Sequence, residues 1–346
     1  MSGAELIDDE VLQLAGRYFF RGLHPLIAIG TASDRYKGWI GQIYSEDLYR
    51  DRIVSRTNRV GKESFREEVL PVESVREYFQ HFKVLEIDYT FYAPLIENTA
   101  PTSTANTLRQ YAIRMGPEDR VFLKAPQMFF ARKLKRGNDY APNKNYLASE
   151  AFTRQFYEPA LDLLGRNLKG IIFEQEYQRR SERIPPVELA AQLDRFFSSI
   201  PHDNRYHVEL RTEEYYCKPV IDVLLKHGAG QVLSHWTWLP SLQKQFSRAG
   251  KHFITAGGQS VIRLMTPIGM RYEQAYARAF PFDRLIEQMI QPGMISQTAQ
   301  LMWEALRDDV EINIIINNRA GGNAPGLAQR IVRQFVEMAG EGRPIL

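Results

Sequence analysis

Leu85-Glu86-Ile87-Asp88-Tyr89-Thr90-Phe91-Tyr92 has the β-branched and aromatic residues of a strand, yet it carries two carboxylates two positions apart. Side chains alternate along a strand, so Glu86, Asp88 and Thr90 fall on one face. Burying an unpaired acid is costly. The fold therefore turns on what this acidic face meets.

Seven other runs resemble it. They are Leu26–Thr31, Val121–Ala125, Gly170–Gln175, Tyr206–Arg211, Gln231–His235, Val261–Met265 and Ile312–Asn318. Between the runs, apolar residues recur at spacings of three and four, as helices require. These patterns cover Val72–Phe82, Thr104–Met115, Glu150–Leu164, Pro186–Ile200, Glu213–His227, Pro240–Ala249, Phe282–Ala305 and Pro325–Ala339. Strand and helix in alternation imply parallel strands with crossover helices. Eight such units are the number that closes a (β/α)8 barrel, with an open doubly wound sheet as the alternative. The expectation is an α/β fold, one TIM-type barrel domain over residues 1–346. It has an N-terminal extension at 1–25 and long segments after the first and third strands, at 50–70 and 128–148.

Composition narrows the class. Of 346 residues, 44% are hydrophobic and 25% charged, the balance of a globular protein. A net charge of +3 is too small to argue for nucleic acid or an anionic membrane. Cys217 is the one cysteine, which excludes an internal disulfide framework and fits a reducing compartment. No apolar run approaches the roughly 18 residues of a membrane span, and the N-terminus is acidic. A cytoplasmic location is the expectation.

In such barrels the site lies at the C-terminal ends of the strands. Polar residues collect there: Glu86, Asp88 and Thr90, then Lys124, then Glu174 or Gln175. Glu209 and Arg211 follow on one face, then His235, Arg263 and Asn317-Asn318. A polar pocket is one reading, and an ion-pair network that satisfies itself is the other. Glu86, Asp88, Glu209 and His235 could ligate a divalent metal. However, ligands on separate strands have no diagnostic spacing, and Lys124, Arg211 and Arg263 would crowd the same space. No cofactor is expected.

The turn Asn317-Asn318-Arg319-Ala320-Gly321-Gly322-Asn323-Ala324-Pro325-Gly326 ends the eighth run and opens a helix. Gly321 and Gly322 would let backbone N–H groups approach a ligand, at a helix N-terminus that favours an anion. The 128–148 segment holds Arg132, Lys133, Lys135, Arg136 and Lys144 among Phe129, Phe130, Tyr140 and Tyr146. Basic residues among aromatics could serve a polyanion, or simply form a solvated loop.

These motifs resemble, in order, those of the domain of unknown function 72 (YecE-like) family. Gly30, Thr31, Tyr36, Lys37, Gly38, Trp39, Gly41 and Tyr44 fit its opening pattern, while Ala32, Ser33 and Asp34 depart from it. Leu85–Tyr92, Lys124-Ala125-Pro126, Glu209-Leu210-Arg211, Arg263-Leu264 and Asn317–Pro325 fit the later ones. His235 replaces an acid, Met265 replaces a histidine, and residues 50–70 are extra. The resemblance implies a (β/α)8 barrel with a shared polar pocket, in a divergent member, and no reaction.

The functional expectation is an enzyme, a hydrolase or isomerase, acting on a small molecule that bears phosphate or carboxylate. Glu86, Lys124 and Glu209 are its candidate catalytic residues. Asp88, Thr90, Tyr92, Gln175, Arg211, His235, Arg263, Asn317, Asn318, Gly321 and Gly322 are candidate ligand contacts. A phosphodiester-cleaving or nucleic-acid-binding protein and a non-catalytic barrel are the alternatives. No membrane partner is expected.

Overall fold

The structure is a computed structural model, and it describes residues 9–136 and 139–340. Eight parallel strands close a barrel: β1 Ile27–Ala32, β2 Val84–Ile87, β3 Arg120–Lys124, β4 Leu168–Glu174, β5 Tyr206–Glu209, β6 Gly230–His235, β7 Gln259–Leu264 and β8 Glu311–Ile316. Each pairs with its neighbours in sequence, and β8 closes on β1 through Ile27↔Ile312 to Thr31↔Ile316. These strands are buried on both faces, so they read as continuous apolar runs. On β8, Ile312, Ile314 and Ile316 pack outward against helices, while Ile315 joins Ala28, Ala32, Val84, Phe122, Ile172, Val232 and Val261 in the lumen.

Helices cover the barrel much as the periodicity requires, with differences. The pattern at Glu213–His227 resolves into a 3-10 turn at Glu213–Tyr215 and a helix at Lys218–Lys226, whose first turn carries Pro219. The pattern at Phe282–Ala305 becomes a helix at Pro292–Arg307 with proline in its first turn. An additional helix, Tyr272–Ala279, precedes it and stops where Phe280 meets Pro281, since a residue before proline disfavours helix.

The two long segments are built rather than loose. Val54–Val60 and Glu63–Val69 form an antiparallel hairpin around Gly61-Lys62, with Gly61 at φ +62°. The hairpin docks on the additional helix. Phe65 packs on Tyr276 and Phe280 at 4.8 and 5.2 Å, and Tyr276 donates its hydroxyl to Glu67. In the second segment, Lys133–Arg136 pairs with Asp139–Pro142. Phe129 and Phe130 are buried there, with Phe130 against Phe173 on β4, and Lys133 pairs with Glu182 at 2.7 Å. Part of its aromatic content is therefore core. In the N-terminal extension, Asp9–Gly16 is helical, and Gln329 of the last helix donates to Ala15 O at 2.9 Å. Residues 1–8 lie outside the described residues. No described helix is long and apolar enough to cross a membrane.

Candidate active site

Strand alternation places Glu86, Lys124, Glu174, Glu209 and Arg263 in the lumen at the C-terminal ends of five strands, with Arg211 just beyond β5. Arg263 is fully buried and is the hub. Its Nε and Nη2 donate to the two oxygens of Glu86 at 2.7 and 2.6 Å. Its Nη1 meets Glu174 at 3.1 Å and also contacts Glu209. Lys124 Nζ reaches Glu174 at 2.6 Å, and Arg211 Nη2 reaches Glu174 at 2.9 Å and Glu209 at 3.0 Å. Three carboxylates thus face three cations, so the acidic face of β2 is answered across the lumen.

The electrostatics follow from this arrangement. Burial pushes the Glu86 carboxyl up, and Arg263 and Lys124 oppose that rise. At Glu174, Arg211, Lys124 and Arg263 outweigh burial and hold the acid well below its usual range. Flanking aromatics complete the setting: Lys124 lies 3.9 Å over the Phe91 ring, and Arg211 lies 4.4 Å over Trp236.

The other expected residues have different surroundings. Thr90 Oγ1 donates to Lys124 O at 2.8 Å and accepts from Lys124 N at 3.2 Å, tying the turn after β2 to β3. Tyr92 is exposed, and its ring meets Phe91 edge-on. Gln175 Oε1 accepts from Arg211 N at 3.2 Å. His235 binds Gln291 Oε1 through Nε2 at 2.9 Å; that oxygen also accepts from Ile268 N, so the imidazole nitrogen is the donor. Burial lowers His235 to about 4. Of the four groups that could ligate a metal, Glu86 and Glu209 are held by Arg263, Asp88 accepts from Ser33 Oγ and His235 binds Gln291. No described cluster of three or more such groups is placed to hold a metal ion.

The Asn317–Gly326 turn is closed by protein groups. Asn317 Oδ1 accepts from Arg319 N at 3.0 Å, Asn318 Oδ1 from Ala324 N at 2.8 Å, and Asn323 Oδ1 from Gly326 N at 2.7 Å. Gly321 O accepts from Ile286 N at 2.8 Å, and Gly322, at φ +97°, abuts Arg284. The helix N-terminus expected to face an anion has acceptors of its own. Arg263, the other expected anion anchor, already has carboxylates on all three nitrogens.

The open space lies to one side of the hub. A cavity of about 480 Å³ is enclosed by the segment after β1, the turn after β2, the 54–69 hairpin and Phe280–Asp283. Glu86 and Asp88 reach it, and so do Asp34 and Arg35. Ser33 Oγ donates to Asp88 at 2.7 Å. Arg35 is half-buried, and its side chain has no hydrogen-bond or ion-pair partner among the described residues. Lys37 and Arg56, also on this wall, are paired with Glu68 and Glu67 at 2.8 Å.

Three residues here escape the sequence-based site assignment. Alternation from Gly170 and Ile172 selects Glu174 over Gln175. Asp34 lies beyond the end of β1, after a left-handed turn at Ser33, where strand counting no longer applies. Arg35 offers no local signal, because the wall that half-buries it comes from the distant hairpin.

The comparisons agree with this architecture. The model of the family described as "Protein of unknown function DUF72" matches residues 28–344. The chain is similar to the structure of a DUF72 family protein from Thermotoga maritima MSB8, at 17% identity over 90% of this chain and 98% of that one, with a TM-score of 0.50. A second, from Enterococcus faecalis V583, is 12% identical over 89% and 95% of the two chains, with a TM-score of 0.52. None of the curated proteins compared matches the chain. At these identities the structural likeness is one of fold, and it is the family match that places the protein: this chain belongs to the DUF72 family.

Proposed function

We propose that this chain is an enzyme that holds a small molecule bearing phosphate or carboxylate in the cavity beside the hub, with carboxyl groups on the cavity wall supplying acid–base chemistry. The observation that carries this reading is Arg35, a half-buried cation beside Asp34 whose side chain has no hydrogen-bond or ion-pair partner within reach among the described residues, facing the same space as Glu86 and Asp88. A guanidinium in that state matches a bidentate oxyanion. Glu86 forms part of the wall and is fixed by Arg263. Lys124, Glu174, Glu209 and Arg211 hold that pair in place rather than reaching the ligand. Hydrolysis and isomerisation both suit such a wall.

The test is a panel of phosphomonoesters and small carboxylates, followed by turnover and by thermal shift, with inorganic phosphate as the simplest probe. Binding that raises Tm in the wild type and is lost in Arg35→Gln is expected. Equal shifts in both proteins, or none in either, would overturn the reading.

The balance of three carboxylates against three cations favours a second reading, a non-catalytic barrel with a self-satisfied polar core. On that reading Glu86→Gln and Lys124→Met alter stability, while no member of the panel binds or turns over.

A further inference from the structure

Beyond β1 the chain makes a turn with an unusual geometry. Ser33 is at φ +67°, a left-handed conformation that non-glycine residues adopt at a cost of about 1 kcal/mol or more. That turn has two results. Ser33 Oγ is brought to Asp88, fixing one carboxylate of the cavity wall. Asp34 is carried into the same wall, buried, with Tyr111 donating to its Oδ1 at 2.7 Å. The other oxygen, Oδ2, is buried and has no hydrogen-bond partner among the described residues. Such atoms are rare in folded proteins and call for an explanation. Glu86 is a poor alternative as a proton carrier, since Arg263 occupies both of its oxygens.

We propose that Asp34 is the proton-transferring residue of this cavity, acting through Oδ2, with Asp88 as the second carboxylate on the wall and Arg35 holding the anionic end of the ligand. This assignment rests on the reading of the cavity as an enzyme site. As an acid, Asp34 turns Oδ2 out to the cavity, gives its proton to a ligand oxygen or nitrogen and is left as a carboxylate; it recovers a proton from water that refills the cavity when the product leaves. As a base it runs the same exchange in reverse. The surroundings suit the role. Burial raises the Asp34 carboxyl to about 6, Asp88 adds to the rise, and Arg35 and the Tyr111 hydroxyl oppose it. Tyr44, Tyr78 and Tyr89 are the other titratable groups that act on it. A carboxyl that titrates near neutrality can both donate and accept at working pH.

Two measurements test this. In protein carrying ¹³C in its aspartate carboxyls, the resonance lost in Asp34→Asn is expected to titrate near pH 6, to move its midpoint upward in Tyr111→Phe, and to respond to inorganic phosphate. On any substrate turned over, Asp34→Asn is expected to lower kcat by about 10²- to 10⁴-fold with a smaller change in KM, and to remove the pH limb near 6. A midpoint in the ordinary carboxylate range, or full kcat in Asp34→Asn, overturns the assignment even where phosphate binds. A titration near 6 that ignores phosphate and the whole panel sinks the enzyme reading, and the role of Asp34 falls with it.

Discussion

Arg263 on the seventh strand crosses the barrel lumen to meet both carboxylate oxygens of Glu86 on the second, at 2.6 and 2.7 Å. The two residues are 177 positions apart, and neither is exposed to solvent. Breaking a buried pair by removing one partner leaves an uncompensated charge, which costs about 3–5 kcal/mol. Arg263→Met strands three carboxylates with two cations and is expected to reach or exceed that range in urea unfolding. Glu86→Gln leaves Arg263 with Glu174 and Glu209 and should cost less. An Arg263→Met protein within about 1 kcal/mol of wild type would show that the network does not hold the barrel together.

His207 points into the lumen from β5, with Phe122 edge-on at 5.7 Å and, among the described residues, no hydrogen-bond partner for either ring nitrogen. Burial lowers it to about 3, with Lys169 adding to the effect. The unfolded chain takes up a proton at this residue near pH 6.5, while the native chain refuses it until about 3. The unfolded state therefore binds more protons across that window, and stability falls as pH drops through it, by up to about 5 kcal/mol. His235, lowered to about 4, acts in the same direction. In His207→Phe the loss of stability between pH 7 and 4.5 should be smaller than in wild type, as read by denaturant titration at each pH. Equal losses would remove His207 from the account.

Asp34 has the opposite sign. Its folded value of about 6 lies above the ordinary 3.8, so the native state binds the proton more tightly than the unfolded chain. Stability is higher below about pH 4 and declines as pH rises to about 6, then levels. The difference is about 3 kcal/mol. Asp34→Asn carries no charge, so its stability should exceed that of the wild type at pH 7.5 and lose that advantage at pH 4. Thermal melts at the two values check both halves. A site residue whose removal stabilises the fold at neutral pH is the pattern expected where function is set against stability.

Gly322 occupies the left-handed region at φ +97°, and a Cβ there would fall 2.4 Å from Arg284 O. Both strain and collision oppose a side chain, so Gly322→Ala should destabilise by more than about 1 kcal/mol. Because Ile286 N bonds Gly321 O, the damage should reach the neighbouring 280–283 wall of the cavity. Hydrogen exchange at Phe280–Ile286 should rise in the variant. Unchanged exchange would mean that the turn and the wall are independent.

The barrel was legible because its strands are apolar on both faces and its helices are periodic, and both signals are local. The charged strand ends were legible too, by residue type. Their partners were not: Lys124 lies between the strands of Glu86 and Glu174 and pairs with Glu174, a choice set by side-chain geometry that no single run carries. The Asn317–Gly326 turn read as a ligand cradle, since open and self-capped turns share the same glycines and asparagines. Arg35 gives no local signal, because the cavity it faces is completed by Arg66–Val69 and Phe280–Asp283, far away in sequence.

That wall has a consequence for what can enter. The 54–69 hairpin belongs to neither the strands nor the crossover helices, yet through Phe65 and Glu67 it leans on Tyr276 and Phe280 and roofs one flank of the mouth. On the proposed reading the hairpin limits the size of what enters, apart from the charged groups beneath it. Shortening the hairpin is therefore a route to admitting bulkier molecules while the charged floor stays as it is.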